Sequence, residues 1–200
     1  MKKLVFIMPL FILLLIGVFA YHDSIPIVIK AGSSGYTNGE FSIRYTDFNL
    51  NEVNLYVNNE KIDSFDYCNS GRNAECEINS DLSDFNGEKI KYFFELIDED
   101  GNIQYSKTYS AVVDTEESEI ISDSADVIGR YVYFSFQVDE YNPLKIEYSD
   151  NGRSWKTLCS GSSVINCNKK RIFSQGYHNV LVRVSDKAGN YIEQDFLFDI

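Results

Sequence analysis

The cysteines of this chain repeat at a fixed spacing, and this repeat constrains the fold more than any other feature. Cys68 and Cys76 enclose seven residues, and 91 positions later Cys159 and Cys167 again enclose seven. None of the four forms a Cys-x-x-Cys pair or a cysteine–histidine set with zinc-ligand spacing. Two equal spacings predict one short disulfide in each half of the chain.

The repeat extends well beyond the cysteines. After each pair comes a segment of alternating apolar residues that ends in Asp-x-x-Gly-Asn, at residues 98–102 in the first half and 186–190 in the second. Self-similarity over this distance indicates a repeated structural unit and outweighs local propensity. We therefore predict two modules, one at residues 24–114 and the other at residues 118–200.

The N-terminus predicts export. Lys2 and Lys3 precede an apolar run from Leu4 to Tyr21, which is the layout of a secretory signal peptide. The run is about 18 residues long, the lower limit for a helix that spans a bilayer. Residues 1–21 are therefore a cleaved signal peptide or an uncleaved N-terminal membrane anchor helix, and both interpretations stay open. Either one predicts a secreted or cell-surface protein that contacts a membrane only through this segment, in a compartment where disulfides persist.

Apolar residues alternate with polar ones in both halves, for example at residues 41–45 and 134–138. This alternation is typical of half-buried antiparallel strands. No long amphipathic helix follows residue 21, although residues 81–85 have the composition of a single helical turn. Around seven short strands in ~90 residues predict an all-β fold in which each module is an antiparallel β-sandwich.

A resemblance supports this fold class. It is carried by the repeat length, by the strand-turn-strand segment at residues 182–196, and by Asp114-Thr115 at the end of the first module. Over almost all of residues 22–200, the chain resembles the tandem immunoglobulin-like and fibronectin-type modules of prokaryotic surface proteins. The resemblance implies a stalk that binds other surface proteins or glycans. We expect the short disulfides to join neighbouring strands or loops, unlike the long-range bridge between the sheets of antibody domains.

Charge and histidine content argue against several function classes. The 30 acidic and 18 basic residues give a net charge of −12, which argues against nucleic acid as a partner because such binding needs lysine and arginine at the phosphates. Only two histidines are present, without a Gly-x-Ser-x-Gly motif. His178, just before a predicted strand, is expected to be a plain surface residue. We expect no catalytic residues and no enzyme activity, although no sequence signature distinguishes a carboxylate pair for glycoside hydrolysis in so acidic a chain.

Carboxylates from three segments are predicted to meet where the modules join. In tandem sandwiches the linker leaves one end of the first module and enters the opposite end of the second, so the turn near residue 81 would face loops of the second module. Such a junction could supply the six to eight oxygens of a calcium site, as in cadherin-like stalks. The alternative is a solvated acidic hinge that holds no cofactor. The residues concerned are Asp81, Asp84, Asp114, Glu116, Glu117, Asp139, Glu140 and Asp186.

A second hypothesis concerns Trp155. Residues 150–155 resemble the Asp-box hairpin, in which Asn-Gly forms a tight turn and a tryptophan follows. Trp155, with nearby Tyr148, is a candidate platform on which a sugar ring would stack. The sequence therefore predicts a non-catalytic adhesion, binding or spacer protein as the leading function, and a carbohydrate-binding module as the alternative.

Overall fold

The computed structural model describes residues 24–200 of the chain. The predicted signal peptide or anchor helix at residues 1–21 lies outside this range. Between residues 24 and 200, no helix has the length and apolar character needed to cross a membrane. The helical segments of this range are short 3₁₀ turns, Ser83–Phe85 and Gly161–Val164. The first of them lies where the sequence predicted a helical turn.

The first module is a sandwich of two sheets. Its strands are β1 (Ile27–Ala31), β2 (Gly35–Thr37), β3 (Glu40–Asp47), β4 (Leu50–Val57), β5 (Glu60–Phe65), β6 (Gly71–Asn79), β7 (Lys89–Asp98), β8 (Ile103–Tyr105) and β9 (Tyr109–Val113). One sheet has the order β1-β3-β6, and the other has the order β2-β9-β7-β4-β5, with β8 paired to β7. The pairing is antiparallel except between β2 and β9, which run parallel.

The second module repeats this arrangement. Its strands are β10 (Glu119–Ile128), β11 (Tyr131–Asp139), β12 (Pro143–Asp150), β13 (Lys156–Ser160), β14 (Asn166–Ile172), β15 (Tyr177–Asp186) and β16 (Tyr191–Asp199). The sheets have the orders β10-β11-β14 and β13-β12-β15-β16. They correspond to β1-β3-β6 and to β5-β4-β7-β9 of the first module. The predicted all-β sandwich class is therefore confirmed.

Each module has its own hydrophobic core, built from the inward rows of its strands. In β7, Ile90, Phe94 and Leu96 are fully buried, and in β15 the valines at 180, 182 and 184 are fully buried. The period of two in the sequence thus places one row of each strand between the sheets, where burial of a large apolar side chain contributes about 1.5–3 kcal/mol.

Both modules contain the predicted short disulfide. Cys68, in the connection between β5 and β6, is bonded to Cys76 on β6, with Cα atoms 5.3 Å apart. Cys159 on β13 is bonded to Cys167 on β14, with Cα atoms 5.9 Å apart. Because β13 and β14 belong to different sheets, the second bridge ties the two sheets together at the side of the sandwich. Both bridges have a sequence separation of 8 and join consecutive strands or the loop between them, as expected, unlike the long-range bridge of antibody domains.

Candidate functional site at the module junction

The turn between β15 and β16 forms the first part of the junction. Asp186 is 1% exposed, and its carboxylate is turned back onto its own loop. Its Oδ1 accepts hydrogen bonds from the backbone N–H groups of Gly189 at 2.7 Å and Asn190 at 2.9 Å. Its Oδ2 accepts one from Nδ2 of Asn190 at 2.8 Å. The Asp-x-x-Gly-Asn pattern is therefore a turn in which the aspartate satisfies backbone donors.

Two asparagines attach Asp114, where the linker between the modules begins, to this turn. Asn190 donates from Nδ2 to the backbone carbonyl of Asp114 at 2.9 Å, and Asn142 donates from Nδ2 to the carboxylate of Asp114. Asn142 is 1% exposed, and its Oδ1 accepts a hydrogen bond from the backbone N–H of Lys187 at 2.7 Å. The last residue of the first module is thus fixed to two loops of the second.

Asp114, Glu140 and Asp186 form an acidic cluster, which we call the junction trio. Each offers a carboxylate oxygen within 4.8 Å of the other two. Glu140 accepts hydrogen bonds from Ser118 Oγ at 2.6 Å and from the backbone N–H of Asn142 at 2.8 Å. Burial is the main cause that raises the pKa of Asp186, and repulsion from the other two carboxylates raises it further. Three acids in this geometry offer oxygen ligands suited to a hard cation.

The structure brings together six of the eight residues proposed for calcium. Beside the junction trio, Glu116, Glu117 and Asp139 line an acidic depression of about 310 Å³ together with Asp114 and Glu140. Asp81 and Asp84 belong to neither group. The carboxylate of Asp81 accepts a hydrogen bond from the backbone N–H of Ser83, which lowers its pKa. Calcium binding at the junction stays a prediction.

The β15–β16 turn also contacts the first module. Lys187 places Nζ 5.8 Å from the ring centroid of Tyr36, and a Cβ atom added at Gly189 would lie 3.4 Å from Nδ2 of Asn38. On the other side of the linker, Oδ1 of Asn86 accepts a hydrogen bond from the backbone N–H of Thr115 at 3.0 Å. The turn and the linker therefore both touch the first module.

Sequence reasoning identified the acids of the junction but missed Asn142. A signal existed, because an acid-x-Asn pattern lies just before β4 in the first module and just before β12 in the second. In the first module, the backbone N–H of Asn49 donates to Oδ1 of Asp47 at 3.0 Å, as that of Asn142 does to Glu140. The backbone carbonyl of each asparagine then accepts a hydrogen bond from the residue after the turn aspartate. The pattern marks the point where the loop before β4 or β12 joins the Asp-x-x-Gly-Asn turn.

The structure rules out Tyr148 as part of the proposed stacking platform and places a cation against Trp155. Tyr148 is 5% exposed and packs in the core, with its ring centroid 6.0 Å from that of Phe134. Trp155 is partly exposed, but the guanidinium carbon of Arg183 lies 4.3 Å from its ring centroid. A face of the indole ring is therefore already occupied by a cation–π contact within the chain.

His178 is not a surface residue, contrary to expectation. It is 2% exposed, with Nδ1 2.8 Å from Oδ1 of Asp150 and Nε2 3.1 Å from the carbonyl oxygen of Ser174. Both ring nitrogens thus face oxygen acceptors, and Phe173 and Phe198 cover the ring. The pair joins β12 to β15 and is a structural element of the second core.

Comparison with known proteins assigns the fold. No family model matches the chain, and no curated protein matches it in sequence. The FN1–FN3 domains of chicken CNTN1 match 89% of this chain and 68% of their own, with 14% identity and a TM-score of 0.52. The fibronectin(III)-like modules of Clostridium thermocellum CbhA match 88% of this chain and 94% of their own, with 11% identity and a TM-score of 0.45. On the likeness to the CNTN1 domains, the chain has the fold of a tandem of fibronectin type III-like β-sandwiches.

Proposed function

We propose that this chain is an exported, non-catalytic spacer and binding protein, in which two disulfide-bonded modules are held in a stiff tandem. Disulfides persist in oxidising compartments, and the N-terminal segment has the layout of an export signal. The modules would then hold a binding surface at a fixed distance and orientation from the N-terminal segment.

The observation that carries this proposal is the set of contacts made by Asp114. Its carbonyl and its carboxylate each accept a hydrogen bond from a different asparagine of the second module, and Asn142 is almost fully buried. A solvated hinge would leave these groups to water. Hydrogen bonds that are buried and fully satisfied favour a single arrangement of the parts that they join.

The surroundings of the buried histidine support a non-catalytic role. A general base needs a ring nitrogen within reach of a substrate proton. Both nitrogens of His178 are engaged, by Asp150 and by the carbonyl of Ser174, and the ring is 2% exposed. His178 therefore serves the packing of β12 against β15.

The stiffness of the junction can be tested by ¹⁵N relaxation on the chain purified from an export-competent host. We expect both modules to share one rotational correlation time. Asn142→Ala, which removes the side chain between Asp114 and Lys187, should let the modules tumble separately. Asn168→Ala, an exposed change on β14, is the matched control and should leave the shared correlation time intact. Separate tumbling in the unmodified chain would contradict the spacer proposal.

A further inference from the structure

An aromatic cluster stands on the outer face of the large sheet of the first module. Tyr56 on β4 and Phe93 on β7 are paired in register, and their rings stack in parallel with centroids 4.8 Å apart and an interplanar angle of 6°. Tyr105 on β8 meets Phe93 edge to face, at 6.0 Å and 69°. We call these three side chains the aromatic corner. Tyr105 is 50% exposed, so the corner is open to solvent.

A buried carboxylate lies beside the tyrosines of the aromatic corner. Glu95, 7% exposed, accepts at Oε2 from Nδ2 of Asn54 at 2.9 Å and from the hydroxyl of Tyr56 at 3.3 Å. Tyr105 is paired with Glu95 in the register of β7 and β8, and the nearby carboxylate raises the pKa of the Tyr105 phenol. The ring of Tyr56 is thus held in place before any ligand arrives, which lowers the entropic cost of binding.

The depression at the aromatic corner presents aromatic and uncharged polar groups together. It has a volume of about 420 Å³, within the range of small-ligand sites. Its lining residues are Tyr56, Asn59, Phe93, Tyr105, Ser106 and Thr108. Among residues 24–200, no carboxylate, lysine or arginine lines it, although the whole chain carries a net charge of −12.

We propose that the aromatic corner binds a pyranose ring of a neutral glycan. A sugar ring has an apolar C–H face, which packs on an aromatic ring, and a rim of hydroxyls, which needs uncharged donors and acceptors such as Asn59 and Thr108. A cationic ligand would need an exposed carboxylate, but Glu95 is buried. An anionic ligand would need a cation, and none of the described residues that line the depression is basic.

The exposed aromatic side chains of the second module differ from the aromatic corner, which is why we place the site in the first module. There the guanidinium of Arg183 lies between two rings, 4.3 Å from the centroid of Trp155 and 4.5 Å from that of Tyr191. The same guanidinium group pairs with Glu193 at 2.6 Å. Trp155 and Tyr191 are therefore each in contact with a cation of the chain itself. Trp155→Ala is consequently a matched control, because it removes an aromatic side chain of the other module.

The test is an NMR titration of the full chain with glucose, mannose, galactose and N-acetylglucosamine oligosaccharides, followed by calorimetry on the responding sugar. We expect shifts at the amides of Tyr56, Phe93 and Tyr105 and saturation at millimolar sugar or below. Tyr105→Ala should weaken binding about tenfold, the equivalent of ~1.4 kcal/mol, whereas Trp155→Ala should leave the dissociation constant within about twofold. Tyr105→Phe, which keeps the ring but removes the hydroxyl of the residue paired with Glu95, should give an intermediate loss, because the ring is then less well positioned.

Three results would overturn the proposal: no response to any of these sugars, binding that survives Tyr105→Ala, or a preference for an oligolysine peptide or a sulfated oligosaccharide. An unchanged spectrum of the core amides shows that Tyr105→Ala keeps the fold. The site is independent of the spacer proposal, since glycan binding and the shared correlation time of the modules are separate measurements.

Discussion

Replacing His178 by leucine should strongly destabilise the second module, because the change leaves a buried carboxylate without its nearest partner. Asp150 is 9% exposed, and its remaining charged neighbour is Arg153, whose Nη1 lies 3.6 Å from Oδ2 on an exposed side chain. Leaving a buried acceptor without its hydrogen-bond partner typically costs about 1–3 kcal/mol, and more when the acceptor is charged. Because Arg153 offsets the additional cost of the carboxylate charge, we expect a loss of about 3 kcal/mol. In a module of ~90 residues, this corresponds to a fall in Tm of about 12–24 °C.

The assay is urea unfolding followed by tryptophan fluorescence. Trp155 is the only tryptophan in the chain and lies in the second module, so its signal reports that module. Adding Asp150→Asn to His178→Leu should recover part of the loss, since a neutral amide is easier to bury than a carboxylate. Tyr177→Ala, at a site 63% exposed, is the control and should change stability by less than ~0.5 kcal/mol. A loss below about 1 kcal/mol in His178→Leu would refute the assigned role of the pair.

The remaining predictions concern the junction and the second disulfide. Because the folded pKa of Asp186 lies above its ordinary value of 3.8, the stability of the unmodified chain relative to Asp186→Asn should be greatest in acid and should fall as the pH rises through the folded pKa; a relative gain with rising pH in urea titrations would contradict this sign. If the junction binds calcium, which is one of the two alternatives that the sequence leaves open, millimolar calcium should raise the Tm by several degrees over excess chelator, and Glu140→Gln should reduce the rise; equal melts would remove the calcium hypothesis. Removing the second bridge by Cys159→Ala with Cys167→Ala should cost about 2–3 kcal/mol in the Trp155 unfolding signal, and no change in the urea midpoint would show that the bridge does not constrain the unfolded chain.

Most of the fold could be predicted from the sequence, because the alternation of apolar residues and the cysteine spacing report local geometry. The sequence also contained two facts that the site hypotheses overlooked. Ile146, Tyr148 and Asp150 share one phase of β12, so an inward Ile146 places the other two inward as well. His178 is likewise in phase with the buried valines of β15. Extending the period of two to the strand ends would have predicted the buried pair and excluded Tyr148 as a stacking surface.

The aromatic corner was beyond the reach of the sequence for a different reason. Tyr56, Phe93 and Tyr105 come from three strands, and their meeting depends on the register between those strands, which a one-residue slip would abolish. The hydrogen bonds from Asn142 and Asn190 to Asp114 likewise depend on how two modules are placed. The meeting of acids at the junction could be predicted because it depends only on which ends of the two sandwiches face each other.

The bridge between Cys159 and Cys167 has a mechanical consequence for any protein pulled by its two ends. Force enters the second module through β10 in one sheet and leaves through β16 in the other. When the module yields, the segment between the two cysteines stays closed and does not lengthen. With a sequence separation of 8, the bridge shortens the fully stretched module by roughly 20–25 Å. A reducing environment would release this length, so the extended length of the second module under tension would depend on the redox state of its surroundings.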